Sequence, residues 1–290
     1  MTKTHRLAAA AVAALMSSAC SGAYAQPPGP PELTAVPPVS DCDGAKTRNF
    51  TAAEAAADAD AAAAVAAGTY SGWAAAVADP RRLPEETVRD PLRHPAEMLA
   101  FMRLTPGDTI ADIRPEEGYF TRLFAPTVGE HGRVYAFVPN QTAERENAFA
   151  DTLAATYPNT TRVTGDLDTL SFECPLDVVF MGQEYHDFVI PRFGVDVAKM
   201  NAAVFAALKP GGLYVILDHQ AAPGAGTDVV GTLHRIEASA LRAQVEAAGF
   251  VFDGETDVVA NPDDDHSLSV FDPAIRGKSD QFVYRFRKPD

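Results

Sequence analysis

From residue 105 onward, short apolar runs alternate with amphipathic stretches, and that rhythm limits the available folds more than any other feature. Runs at Thr109–Ile113, Arg133–Val138, Thr161–Thr164, Asp177–Met181 and Leu213–Leu217 read as strands. Helical patterns lie over 119–128, 142–156, 195–208 and 237–248, and two later strands are expected near Val251–Val259 and Gln281–Arg287. Strands joined through helices by short links form a parallel sheet covered on both faces. Ligands of such sheets sit in the crevice at the carboxyl ends of the strands. The loops to watch are therefore 114–118, 138–141, 165–170, 182–187 and 218–228.

Three segments of different composition precede this domain. Residues 1–25 carry Lys3, His5 and Arg6, an apolar stretch from Leu7 to Met16, and Ala23-Tyr24-Ala25 before Gln26. A basic start, an apolar middle and a small-x-small ending read as a signal peptide. The apolar stretch is shorter than the roughly 20 residues that span a bilayer. The mature chain is thus expected to be exported, periplasmic or secreted, without a transmembrane segment. Cys20 offers a lipoprotein as the alternative, although Ser17-Ser18-Ala19 before it lacks the usual aliphatic residue. Residues 26–50 are proline-rich and read as a linker. Residues 51–104 read as a helical N-terminal extension. Thr51 and Glu54 form a capping box, a second helix is expected through Trp73 to Ala78, and the last starts near Pro95. The folded domain spans 105–290.

The 290 residues carry 24 Lys and Arg against 39 Asp and Glu, a formal charge of −15. Nucleic-acid binders concentrate basic side chains, so a small-molecule partner is expected and a nucleic acid is not. Cleavage of the leader leaves Cys42 and Cys174, which either pair or leave Cys174 unpaired and buried. No CxxC or Cys/His spacing marks a structural zinc site.

Several motifs fall where one family carries its signatures. The run IADIRPEEGYFTRLFAP (110–126) stands where class I methyltransferases place an acidic residue and a glycine-rich loop after the first strand. Asp166 fits the acid after the third strand, LDVVFMGQEYHD (176–187) the fourth strand and its loop, and ALKPGGLYVILDH (207–219) the fifth. The chain resembles class I S-adenosylmethionine-dependent methyltransferases. From Asp79 it resembles, more narrowly, an uncharacterised family of exported methyltransferase-like proteins, through DPRR, RHPAE, LHRIE, NPDDDH and VFDPAIRGKSDQFV. The resemblance implies a Rossmann-like α/β sheet, mostly parallel with the last strand antiparallel. It implies S-adenosylmethionine as cofactor, held by Asp112, Arg114, Gly118, Tyr119, Asp166 and Gln183, and no metal. The implied activity is methyl transfer to a small nucleophilic substrate.

The cofactor loop departs from the pattern. Its three glycine positions hold Arg114, Glu116 and Gly118. Glycines there let the backbone approach the cofactor and adopt positive φ. Glu116 and Glu117 are expected to crowd the methionine end and oppose its carboxylate. A like-charge contact at 4 Å costs about 1 kcal/mol in water and about 4 kcal/mol at an effective dielectric of 20. Arg114 offsets part of that. The second strand ends in Val138-Pro139-Asn140 instead of an acid. A ligand-binding protein without catalysis is therefore the rival reading.

His186 and His219 follow the fourth and fifth strands, which the scaffold sets side by side. Either is a candidate general base, since histidine titrates near neutrality. With His234, Asp187 and Asp218 they are alternatively a metal set, which gives a metal-dependent enzyme as a further alternative. Bracing of loops is the plain structural account. Among softer signals, Asp263-Asp264-Asp265-His266 reads as a solvated turn or a cation loop. Arg276-Gly277-Lys278 reads as part of a lid or a packed link. Arg81, Arg82, Arg93 and His94 read as partners of surface carboxylates or receivers of an anionic substrate.

Overall fold

The computed structural model describes residues 71–290. The readings for the leader, the linker and the Thr51 helix lie outside them, as does the question of which cysteine pairs with Cys174. Cys174 itself is disulfide-bonded. Four short helices come first: α1 (Ser71–Val77), α2 (Pro84–Thr87), α3 (Asp90–Arg93) and α4 (Pro95–Phe101). Pro84, Pro91 and Pro95 occupy the first or second positions of the last three, where a missing N–H costs nothing. Helices α2 and α3 are one turn each, too short for a periodic signal.

The sheet comprises β1 (Thr109–Ile113), β2 (Arg133–Pro139), β3 (Thr160–Gly165), β4 (Leu176–Gly182), β5 (Leu208–His219), β6 (Val251–Thr256) and β7 (Gln281–Arg287). Its strand order is β3-β2-β1-β4-β5-β7-β6. Strands β1 to β5 pair in parallel, whereas β7 runs antiparallel to both β5 and β6. The expected sheet is borne out. The chain reverses its direction of travel between β1 and β4, and that switch point opens the crevice. Strand β5 begins earlier than expected. Lys209-Pro210-Gly211-Gly212 is not a free turn but an irregularity inside the strand, across which the pairing jumps from Leu176↔Leu208 to Val178↔Leu213.

Helices α5 (Thr121–Val128), α6 (Ala143–Thr156), α7 (Tyr185–Val189), α8 (Val197–Ala207), α9 (Val230–Leu233) and α10 (Ala238–Glu246) complete the fold. The Asp196 side chain accepts from the Lys199 amide and caps α8. Period-two alternation sends each strand's residues to two cores. Val179, Met181, Tyr214 and Ile216 face one core with Phe188, Val204 and Leu241. Val178, Phe180, Leu213 and Val215 face the other with Leu123 and Phe124. Trp73, Met98 and Leu99 belong to this second core, so the helices before β1 cover a face of the sheet. Among the described residues, no helix is long and apolar enough to cross a membrane.

Candidate functional site

The loop after β1 has a glycine-type backbone at two positions that hold Arg114 and Glu116. Arg114 has φ 56°, Glu116 50° and Gly118 92°, so all three positions lie in the left-handed region. For residues other than glycine that conformation costs roughly 1–2 kcal/mol each. At Gly118 a Cβ would lie 2.5 Å from Cδ2 of the buried Leu153, so a side chain there would force Leu153 to shift. The backbone expected of a methyltransferase loop is present, and its side chains are not.

Arg114 points inward and is buried. Its Nε donates to Glu146 at 3.2 Å, and its Nη1 donates to Glu184 and, at 3.1 Å, to Asp187. Glu116 stands 3.7 Å from the same guanidinium with a side chain 58% exposed. Arg114 lines the small crevice hollow together with Glu116 and Glu117, the two glutamates expected to crowd it. Four carboxylates around one guanidinium leave a surplus of negative charge, and burial raises the Glu184 carboxyl well above its ordinary range.

On one side of Arg114 lies a hollow of about 40 Å3, lined among others by Arg89, Arg93, Asp112, Tyr119 and Gln183. Burial pushes the Asp112 carboxyl up to about 7, against a hydrogen bond from Thr121 Oγ1 at 2.6 Å. Tyr119 donates to Asp90 at 2.7 Å and lies beneath Arg93, whose guanidinium carbon is 4.6 Å from the ring centroid. Arg93 donates to Gln183 at 3.2 Å. Burial, then the nearby Arg89, lowers it to about 10. Four of the six implied cofactor residues thus line this hollow. Gly118 does not line it, and Asp166 is an exposed residue bonded to Asn140 at 2.8 Å.

On the other side is a hollow of about 500 Å3, lined by Arg114, Gln141, Thr142, Glu144, Arg145, Asp187, Arg192, Phe193, His234 and Phe271. Sequence reasoning missed Arg192, Phe193 and Phe271. The last comes from the 257–280 link expected to cover the crevice, although Arg276-Gly277-Lys278 does not line this hollow.

Beside this hollow the histidines converge. The rings of His186 and His219 are 5.7 Å apart, and those of His186 and His234 are 5.4 Å apart. His186 Nδ1 bonds Asp218 Oδ1 at 2.6 Å, and the other Asp218 oxygen accepts from the His186 amide at 2.8 Å. Burial works against charge on His186, but the Asp218 carboxylate outweighs it and raises the imidazole. His219 shares a hydrogen bond with Ser279 Oγ at 2.8 Å, and burial drives it down to about 3, so it stays neutral. The metal set considered from sequence contracts. His186, Asp187 and His234 come together, whereas Asp218 is engaged on the far nitrogen of His186 and His219 turns to Ser279.

Other expectations change. Asp264 is neither solvated nor free for a cation, because it is buried against Arg235 at 2.7 Å. Its neighbours Asp263 and Asp265 are exposed. Arg81 pairs with Asp79 and Arg82 with Asp90, whereas Arg93 faces the small hollow.

No family model and no curated protein matches this sequence. Solved structures do. A SAM-dependent methyltransferase from Aquifex aeolicus is 18% identical with a TM-score of 0.50, over 69% of this chain and 92% of that one. The [4+2]-cyclase SpnF is 15% identical with a TM-score of 0.51, over 68% of this chain and 82% of that one. At such identities the likeness shows the fold, which is that of the SAM-dependent methyltransferases.

Proposed function

We propose that this chain is a methyltransferase-fold ligand-binding protein, with its small-molecule ligand in the 500 Å3 hollow and its first-loop crevice closed to S-adenosylmethionine. The observation that carries this is the Arg114 side chain, buried across the crevice and ringed by Glu146, Glu184 and Asp187. The methionine end of the donor needs that space. Freeing it draws a buried cation from its partners, and breaking one buried pair costs about 3–5 kcal/mol. The space beyond Arg114 is about 40 Å3, against roughly 300 Å3 or more for a small-molecule site. The larger hollow meets that size, with Phe193 and Phe271 as apolar wall and Gln141, Arg145 and Arg192 as polar groups.

Two further points support the reading. A cyclase with this fold shows that the scaffold is not tied to one chemistry. The leader read over residues 1–25 implies export, away from the cytosol where the donor is made.

Methyl transfer to a small nucleophile, with His186 or His219 as base, is the second reading. It draws on the retained positive φ at 114, 116 and 118. It also draws on Arg89 and Arg93, which face the small hollow without an ion-pair partner among the described residues. Calorimetry separates the two. Wild type should give no heat with millimolar S-adenosylmethionine, and an Arg114→Gly/Glu116→Gly variant should bind it. Heat from wild type would restore the methyl-transfer reading. Silence from both would show that Arg114 is not what closes the crevice and would remove the observation that carries the ligand-binding reading.

A further inference from the structure

We propose that His186, Asp187 and His234 form a binding site for one divalent first-row transition-metal ion, open on the side of the 500 Å3 hollow. The inference goes beyond ligand binding and does not depend on whether the crevice admits a methyl donor.

The donor atoms are already gathered. Asp187 Oδ1 lies 2.9 Å from His234 Nδ1 and 3.4 Å from His186 Nε2, and the three atoms all lie within 4.8 Å of one another. Metal–ligand bonds of about 2.1 Å in tetrahedral arrangement set donor atoms roughly 3.4 Å apart. Small side-chain rotations close the difference. Two histidines and one carboxylate are also the chemistry that zinc, iron(II) or cobalt(II) favours.

Two of the three atoms lack any other occupation. Asp187 Oδ1 and His234 Nδ1 are both buried, and among the described residues neither makes a well-aligned hydrogen bond; their close polar contact is with each other, at 2.9 Å. Buried polar atoms left unpaired are uncommon and costly. Two electron-rich atoms facing each other at that distance are relieved by a cation between them.

The third ligand is oriented from behind. With the proton of a neutral His186 ring on Nδ1, that nitrogen donates to Asp218, and Nε2 presents its lone pair to the site. Asp218 is fixed in turn by the His186 and His219 amides. This carboxylate–histidine–metal relay is the usual support of a metal-bound imidazole. Asp187 is braced through its second oxygen by Arg114 at 3.1 Å. His234 is placed by strain: it ends α9 at φ 53°, a left-handed conformation that costs a histidine free energy. Its ring also packs edge-on against Phe271, with centroids 4.7 Å apart.

Three protein ligands beside an open hollow describe a site that keeps a coordination position for water or a ligand oxygen. Asp187 and His234 line that hollow, so an ion reaches the site through it. Binding releases any proton on His186 Nε2 or His234 Nδ1 to solvent.

The test uses the full chain, freed of metal with a chelator and carrying no histidine tag. Titration with zinc(II) should show one site per chain and raise the Tm. Cobalt(II) should give the visible absorption of a low-symmetry nitrogen and oxygen site. His234→Ala, which gives up one contact to Asp187, should fold normally and lose both signals, with affinity down at least 100-fold. Asp218→Asn should keep the site and weaken it about 10- to 100-fold. The proposal is overturned if wild type binds neither ion stoichiometrically, or if folded His234→Ala binds as wild type does. Should His234→Ala not fold, a wild-type cobalt spectrum without histidine ligation would overturn it just as well.

Discussion

Arg114 carries the proposed function, and two of its properties were not equally visible. Its place in a glycine position is plain in the sequence. The direction of its side chain is not, because that follows from φ 56° and from Glu146, Glu184 and Asp187 arriving from other elements. Asp112, two residues earlier, yields a pH prediction. Its carboxyl moves from 3.8 to about 7 on burial, so the folded state holds the proton more tightly than the unfolded chain. The stability this contributes is complete below 3.8 and is lost as pH rises through about 7. Asp112→Asn should remove that slope, and its gain over wild type between pH 4 and pH 8 should be on the order of 4 kcal/mol. Urea unfolding at the two pH values measures it. Parallel curves for the two proteins would show that Asp112 ionises normally in the fold.

At the scale of elements, legibility followed length and burial. Strands β1 and β7 were read to the residue because each is short, rich in buried apolar residues and marked at its ends. Strand β5 was read short, since Lys209-Pro210-Gly211-Gly212 has the composition of a turn and pairs only through the register shift opposite β4. Helices α7 and α9 escaped notice at five and four residues. They nonetheless carry the histidine cluster: His186 and Asp187 lie in α7, and His234 ends α9. The approach of His186 to His219 was legible from neighbouring strand tips. His234 was included in the metal set on residue type alone, since its position depends on one left-handed residue. The loop after β1 depends similarly on Gly118. Gly118→Ala combines strain at φ 92° with a Cβ 2.5 Å from Leu153, and should cost roughly 1–3 kcal/mol in urea unfolding. A change below about 0.5 kcal/mol, the range of ordinary surface substitutions, would mean that the loop relaxes freely.

At the scale of the whole molecule, the sheet has the methyltransferase fold, and the proposed binding function rests on the side chains around its switch point. Strand order β3-β2-β1-β4-β5-β7-β6 holds the tips of β1, β4 and β5 together. The helices from Trp73 onward cover one face and supply Arg89 and Arg93. Arg114 divides the resulting crevice into a hollow of about 40 Å3 and one of about 500 Å3. A crystal structure of the protein grown with millimolar S-adenosylmethionine tests that division most directly. Arg114 should remain buried against Glu146, Glu184 and Asp187, with no donor density along residues 112–118. Density for the donor beside Gly118, with the Arg114 guanidinium displaced to solvent, would contradict the account.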